Sequence, residues 1–412
     1  MITLSPAERQ FVRDHLTDDV RALLLQAHPP GVDIKKVAAQ LTARQKAREK
    51  LPSWYANGEV LFPPALSVEQ ASSERTANYK ASLVAGKLLM DLTGGMGIDS
   101  WAFAKRTTSV LYVEQQASLS ELAAYNLPTM RASNVTVQTG DGLAIVDSLT
   151  QTADWLYLDP HRRDEQGGKV VRLEDCEPDV SRPDVLTKLL AKSTHILVKS
   201  SPLIDIDATI RQLNEQSVGG VAAVHVVAVQ GEVKEVLFVI TRQSCLPDDV
   251  LIQAVNLTPT NDQVLTFHKG DERSSEVAFS DPLQYVYEPN AAVLKAGAFR
   301  LVAARYSLRK LAPNSHLYTS TQLQTDFPGR VFTVQHVIKP DRKALQALVP
   351  NLKANLTVRN FPQSVAELRK KLALQEGGNW YILATTLLNG DKRLILTQKA
   401  DFVNPTAGGI FG

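Results

Sequence analysis

Apolar and polar positions divide the chain into three patterns. From Ser5 to about Ala56 the apolar residues recur at helical spacing, and SPAERQFVRDHL and TDDVRALLLQAH each open on capping-type residues. Pro29-Pro30-Gly31 interrupts before VDIKKVAAQLTARQKAREK, so three helices are predicted. Between Lys87 and Ile240 the pattern changes to short β-rich runs, KLLMDL, SVLYVEQ, NVTVQTGD, DWLYLDP, THILVKS, VAAVHVVAV and EVLFVI. Helix-length connections separate the first five, the pattern of a parallel sheet flanked by helices. Only the short stretch from Gln230 to Lys234 joins the last two, which suffices for a hairpin and not for a parallel crossover. An α/β sheet of seven strands follows, six parallel and the last antiparallel.

After Thr241 the sequence reads as irregular and polar, and then as two smaller α+β units. One holds a long helix, AAVLKAGAFRLVAARYSLRKL, followed by VFTVQHVI. The other reads strand KANLTVRNF, helix SVAELRKKLAL, strand NWYILATTLL, a turn at Asn389-Gly390-Asp391, and strand KRLILTQKA. The expected domains are a helical region over 1–80, a core over 81–242, and α+β units over 243–340 and 341–412.

A content of 44% apolar and 21% charged residues places the chain among soluble globular proteins, and 412 residues call for two to four domains. No apolar stretch approaches membrane-spanning length, and MITLSPAERQ lacks the basic and hydrophobic segments of a secretory leader. Cys176 and Cys245 make no disulfide framework and have no metal-ligand spacing, so the expected location is the cytoplasm, with no membrane and no metal. The net charge of +2 hides a division. From Ala291 onward 17 Lys and Arg face 6 Asp and Glu, which points to a polyanion-binding module; solubilising surface charge is the alternative. Lys35, Lys36, Arg44, Lys46, Arg48 and Lys50 make the third helix basic as well, either to meet nucleic acid or as a solvated face.

The strongest constellation is DLTGGMGID, between the first strand and the helical SWAFAKR. Gly94, Gly95 and Gly97 permit a tight turn and close backbone approach to a ligand at a helix start. Acids follow three successive strands: Asp91, Glu114 and Asp141. Glu114 is suited to both hydroxyls of a ribose, Asp141 to an adenine amino group and Asp91 to the amino group of a methionine moiety. Taken singly, each is equally an ordinary loop or capping carboxylate.

Together these features resemble the class I S-adenosylmethionine-dependent methyltransferases over about Ser73 to Ile240, which implies a Rossmann-like core and S-adenosyl-L-methionine as cofactor. In the family loop, acid-x-Gly-x-Gly-x-Gly, Asp91, Gly95 and Gly97 match while Thr93 replaces the first glycine. The resemblance implies cofactor contacts from Asp91, Thr93, Gly94, Gly95, Gly97, Glu114, Asp141 and Gly142. It also places Tyr79 and Lys80, on a helix before the first strand, over the methionine end. A dinucleotide dehydrogenase fits less well: Ser100 stands where a small apolar residue packs helix on strand, and Asp91 would repel a pyrophosphate.

In this family the fourth strand ends at the transferable methyl. Here it continues Asp159-Pro160-His161-Arg162-Arg163, keeping Asp-Pro but lacking the second proline and the aromatic of amine methylases. Asp159 and His161 are the candidate catalytic groups, to orient or deprotonate the acceptor. Pro160, Arg162 and Arg163 are candidate substrate contacts, the arginines holding phosphate or carboxylate or instead pairing with Asp164 and Asp175. Lys199-Ser200-Ser201-Pro202 follows the fifth strand, either facing the same crevice or forming a plain turn, and Cys176 lies beyond the fourth strand. The basic C-terminal units resemble ferredoxin-like and THUMP-type modules of RNA methyltransferases, and the whole arrangement resembles a bacterial group with a THUMP-like domain. The function expected is methyl transfer to RNA. Arg305, Arg309, Lys310, Arg369, Lys370, Lys371, Lys392 and Arg393 are the basic contacts, and Trp380 and Tyr381 are available for stacking or for the core. A non-catalytic RNA-binding protein, or an enzyme acting on a protein or small molecule, are the alternatives.

Overall fold

A computed structural model describes residues 3–26, 28–162, 172–215 and 218–400. It divides into two compact units, one of residues 1–224 and 235–247, the other of 225–234 and 248–412.

In the first unit, Ser5 and Glu8 form a reciprocal capping box at the start of helix Pro6–Asp14, and Asp33 caps helix Ile34–Lys50. Part of the basic face of the latter is engaged within the fold, while Lys35 and Arg48 are exposed. Lys36 pairs with Glu8, Lys46 pairs with Glu69, and the buried Arg44 donates to the carbonyls of Tyr55, Asn57 and Val60. Arg44 thus ties down the loop after helix Pro52–Ala56. Two further helices, Ala65–Gln70 and Glu74–Ser82, precede the sheet.

The sheet has strands β1 (Gly86–Asp91), β2 (Thr107–Glu114), β3 (Val135–Thr139), β4 (Ala153–Leu158), β5 (Ser193–Ser200), β6 (Gly220–Val229) and β7 (Glu232–Thr241). Their order is β6-β7-β5-β4-β1-β2-β3, parallel from β5 through β3, with β7 antiparallel to β5. Gln230 and Gly231, both at positive φ, make the two-residue turn that reverses β6 into β7. The buried stretches of β4 and β5, residues 155–158 and 196–198, are continuously apolar, as strand segments covered on both faces must be. The register sets Asp91 opposite Tyr112 and Tyr157, and Glu114 opposite Thr139, so β1 to β4 end together.

The second unit contains the tip of the β6–β7 hairpin and a hairpin of β8 (Leu251–Leu257) and β9 (Gln263–His268), where the sequence reads as irregular. With these the hydrogen-bonded order reaches nine strands instead of seven. The polar residues that obscured β8 and β9 are partly structural: Asn256 accepts from the Gly231 N–H and donates to Gln263. A second sheet follows, of β10 (Tyr285–Pro289), β11 (Arg309–Lys310), β12 (Tyr318–Ser320), β13 (Gly329–Ile338), β14 (Asn355–Arg359), β15 (Tyr381–Thr386) and β16 (Lys392–Lys399), in the order β11-β12-β10-β13-β16-β15-β14. Period-two alternation is clear in it, with Ile382, Ala384, Leu394 and Leu396 packed on one face and Leu383 and Ile395 on the other.

Two expectations change here. The long helix from Ala291 is two short ones, Ala291–Lys295 and Arg300–Arg305, because Gly297 takes φ +76° between them. The division at residue 340 falls inside one sheet, since β13 pairs with β16 across it.

Beneath the carboxyl ends of the first sheet lies a buried charged cluster. Lys80 is fully buried, with Nζ 3.0 Å from Asp99 Oδ1 and 3.1 Å from Glu235 Oε2, and it donates to Ser72 Oγ at 2.8 Å. The Tyr157 and Ser72 hydroxyls donate to Asp99 Oδ2 at 2.8 and 2.9 Å. Lys80 thus sits below the site, not over the methionine end as the resemblance implies. Removing it leaves two buried carboxylates without their counter-ion. Lys80→Ala is expected to lower stability in chemical denaturation by about 3–5 kcal/mol; a loss under about 1 kcal/mol would contradict this role for the ammonium.

Candidate functional site

The aligned ends of β1 to β4 open into a cleft of about 420 Å³. Its wall includes Thr93, Gly95, Glu114, Asp141, Gly142, Asp159 and His161, residues from four strand ends that the sequence singled out. Ligands collect at such carboxyl edges in α/β sheets.

The loop after β1 is shaped by its glycines. Gly95 has φ +52° and Gly97 φ +86°, the latter capping helix Ile98–Phe103. Gly94 is required for a different reason, since a Cβ there would lie 2.2 Å from the Tyr112 ring. Tyr112 in turn donates its hydroxyl to the Gly95 carbonyl at 2.7 Å. An added Cβ at Gly142 would come within 2.6 Å of the Leu92 carbonyl, so the third-strand loop can approach the first only without a side chain. Gly94 and Gly97 hold the loop and are not on the cleft wall.

Glu114 binds this loop with one oxygen and its own turn with the other: Oε2 accepts from the Gly95 N–H and Oε1 from the Gln116 N–H, both at 2.8 Å. Each oxygen retains a lone pair, and the carboxylate lines the cleft. Asp141 caps helix Gly142–Ser148 through Oδ1 and accepts from the Gln115 amide through Oδ2 at 2.9 Å. The capping and binding readings of these acids are therefore compatible.

Asp91 is placed differently from the expectation. It is fully buried, accepting from the Thr93 N–H at 3.1 Å and the Ser100 hydroxyl at 2.6 Å. It sets the glycine loop from beneath and does not reach the cleft surface. Burial, together with the charges of Asp99 and Asp159, pushes its pKa from 3.8 to about 7, against the lowering effect of Ser100.

Thr93, the departure from the family loop, accepts the Asp159 N–H on its hydroxyl at 2.7 Å. A glycine lacks that acceptor, so the threonine locks the ends of β1 and β4 together. The Asp159 side chain accepts from Lys199 at the end of β5, 2.6 Å away. His161 and Arg162 pair antiparallel with Glu177 and Cys176, which carries the chain back to the site. His161 lines the cleft, while Pro160, Arg162 and the buried Cys176 line a neighbouring cavity that shares Asp159. Burial raises the Cys176 thiol pKa, as expected of a packing cysteine. Arg163 and Asp164 lie outside the described residues.

The sequence reading missed several wall residues. Ser67, Gln70 and Ala71 come from or directly follow helix Ala65–Gln70, which carries no motif. Tyr79, on the next helix, is not on the wall. Glu177 and Pro178 reach it only because of the short antiparallel pair, which spacing along the chain does not disclose.

The Asp91 shift has a measurable sign. A carboxyl whose folded pKa lies above its unfolded one stabilises the fold while protonated, and that contribution is lost as pH rises from 3.8 through about 7. Asp91→Asn should therefore gain stability relative to the unsubstituted protein between pH 5 and pH 8, in paired denaturation curves. A difference independent of pH would contradict the buried placement.

Comparison with known proteins fits this geometry. Family models match residues 285–328 as a ferredoxin-like domain and 329–399 as a THUMP domain-like segment. The crystal structure of a candidate methyltransferase from Porphyromonas gingivalis W83 is 35% identical in sequence, with a TM-score of 0.85 over 96% of this chain and 98% of that one. An uncharacterized S-adenosylmethionine-dependent methyltransferase of Mycobacterium tuberculosis is 21% identical over 319 residues, spanning 75% of this chain and 80% of its own. With the parallel sheet, the glycine loop and the acid-lined cleft on one edge, the chain belongs to the S-adenosylmethionine-dependent methyltransferases, in the group that bears ferredoxin-like and THUMP-like segments at its C-terminal end.

Proposed function

We propose that this methyltransferase acts on RNA in the cytoplasm, with Asp159 and His161 as catalytic groups and Pro160, Arg162 and Arg163 on the acceptor side. One observation carries the RNA assignment: the excess of 17 basic over 6 acidic residues after Asn290, in the stretch that matches ferredoxin-like and THUMP-like models. Arg309, Lys370, Lys371 and Lys392 are exposed there and available to phosphates, and Arg305 is exposed but donates to the Thr266 carbonyl at 2.7 Å. Lys310 is not, since it is buried and donates to the Pro313 carbonyl, and Arg393 is paired with Asp391. Arg369 approaches Glu376 at 3.8 Å. Trp380 and Tyr381 pack against the two cores of the second sheet, which favours a packing role over stacking. Two free cysteines accord with a reducing compartment, and among the described residues no helix is long and apolar enough to cross a membrane.

The cleft suits the cofactor chemically. S-adenosylmethionine supplies a methyl group on a cationic sulfur and has no phosphate, so a wall of carboxylates attracts it where it would repel a dinucleotide. Glu114, beside Gly95, accepts from the ribose hydroxyls; Asp141, beside Gly142, accepts from the adenine amino group; Thr93, Gly94, Gly95 and Gly97 shape the loop that Asp91 holds from below. Direct displacement depends chiefly on alignment, and Asp159 is fixed for that purpose at both ends, by Thr93 at its backbone and Lys199 at its carboxylate. His161, exposed on the wall that Asp159 shares, is the group that relays the acceptor's proton from Asp159 to solvent.

Glu114→Ala is expected to weaken cofactor binding by about 1.5–3 kcal/mol, one to two decades in Kd, by isothermal titration. Unchanged affinity would remove Glu114 from the site. Asp159→Ala should leave that Kd within about twofold yet cut turnover by about 100-fold or more; equal turnover would contradict its role. With labelled S-adenosylmethionine and either total RNA or total protein, label should enter RNA, less so as salt rises. Label confined to protein would replace the RNA reading with a protein substrate.

A further inference from the structure

Asp159 also lines a second cavity, of about 310 Å³, together with Pro160, Arg162, Lys199, Ser201 and Leu203. Asp159 is thus common to both spaces, and an acceptor entering the second one meets a carboxylate and an ammonium side by side. Lys199 Nζ lies 2.6 Å from Asp159 Oδ2, with the two side chains 18% and 33% exposed, so both remain within reach of a ligand. Burial lowers the Lys199 pKa, but the charge of Asp159, that of Glu235 and the hydrogen bond to Asp159 outweigh it, and the amine stays protonated.

We propose that this cavity is the acceptor pocket and that the Asp159–Lys199 pair selects a ring N–H flanked by a carbonyl, the lactam edge shared by guanine, hypoxanthine and uracil. Asp159 accepts the N–H and Lys199 donates to the adjacent oxygen. As the ring nitrogen forms its bond to the methyl carbon, the carbon–sulfur bond breaks and its electron pair stays on sulfur as a neutral thioether, while the ring proton passes to Asp159. Negative charge grows on the lactam oxygen as that proton leaves, and the Lys199 ammonium stabilises it there. The same pair also fits the N–H and ring nitrogen of adenine or cytosine in shape, but there the ammonium works against transfer. A cation bonded to the ring nitrogen draws electron density from the exocyclic amine, which must donate its lone pair. The charge arrangement therefore favours lactam nitrogens over exocyclic amines.

The inference rests on the RNA reading and on Asp159 facing the acceptor, and two measurements separate their failures. Total RNA methylated by the full-length protein is digested to nucleosides and resolved by mass spectrometry. Methyl on N1 of guanosine or inosine or on N3 of uridine is the expected result, the nucleoside found distinguishes the three bases, and methyl on a purine N7 would overturn the lactam assignment. Methyl on an exocyclic amine or a ribose would overturn the lactam assignment and leave the RNA reading standing; methylated protein with unmodified RNA would overturn both. In the second measurement, GMP, UMP, AMP and CMP are titrated into the protein saturated with S-adenosylhomocysteine. GMP or UMP should bind at least about tenfold more tightly than AMP and CMP, and equal affinities would overturn the proposal. Lys199→Met should abolish that preference and lower turnover about 100-fold without altering the Kd for S-adenosylhomocysteine, while Lys199→Arg should retain part of both. Should Lys199→Met not fold, the titration of the unsubstituted protein still decides.

Discussion

The structure depends on one constraint, the in-register parallel pairing of β1 with β2 and β4, and of β2 with β3. That pairing brings Asp91, Glu114, Asp141 and Asp159 to one edge, where like charges repel and burial pushes Asp91 toward its protonated form. Each carboxylate is stabilised by donors supplied locally. Asp91 has Thr93 and Ser100, Glu114 has the N–H groups of Gly95 and Gln116, Asp141 has its helix start and Gln115, and Asp159 has Lys199. The same bonds give the glycine loop its shape. At Asp91 and Glu114 charge compensation and loop geometry are therefore a single design.

The second layer of charge, beneath that edge, extends the same logic. Burial raises the pKa of Glu235 despite Lys80, and burial with the charge of Asp99 raises that of Tyr157 far above its usual value. Tyr157 is thereby kept as a hydroxyl donor to Asp99, and Lys80 is kept between Asp99 and Glu235. The floor of the site is thus rigid and polar, which suits a reaction in which alignment provides most of the acceleration.

Much of this was legible in the sequence, for identifiable reasons. The core strands are short apolar runs separated by helical lengths, so the parallel direction of the first five and the antiparallel β7 follow from connection length, while the order of the strands came only with the family resemblance. Glu114, Asp141 and Asp159 were legible because each directly follows such a run. Tertiary burial was not. Nothing in DLTGGMGID says that Asp91 points under the loop while Glu114 points over it, and nothing in SSERTANYKAS says that Lys80 turns inward. β8 and β9 escaped because polar residues interrupt their apolar runs, among them Asn256 and Gln263, which bond each other and the β6–β7 turn, and the long helix expected from Ala291 passes through Gly297, which divides it. The departures at Thr93 and at Asp159-Pro160-His161 acquire meaning only in three dimensions, where the threonine fastens the Asp159 backbone.

The central claim is that carboxylates on neighbouring strand ends enclose the cofactor and point its reactive end at Asp159. A crystal structure of the full-length protein with S-adenosylhomocysteine tests it most directly. The account predicts ribose hydroxyls on Glu114, the adenine amino group at Asp141, the sulfur facing Asp159, and Asp91 still bonded to Thr93 and Ser100. Ribose oxygens remote from Glu114, or sulfur directed away from Asp159, would contradict it.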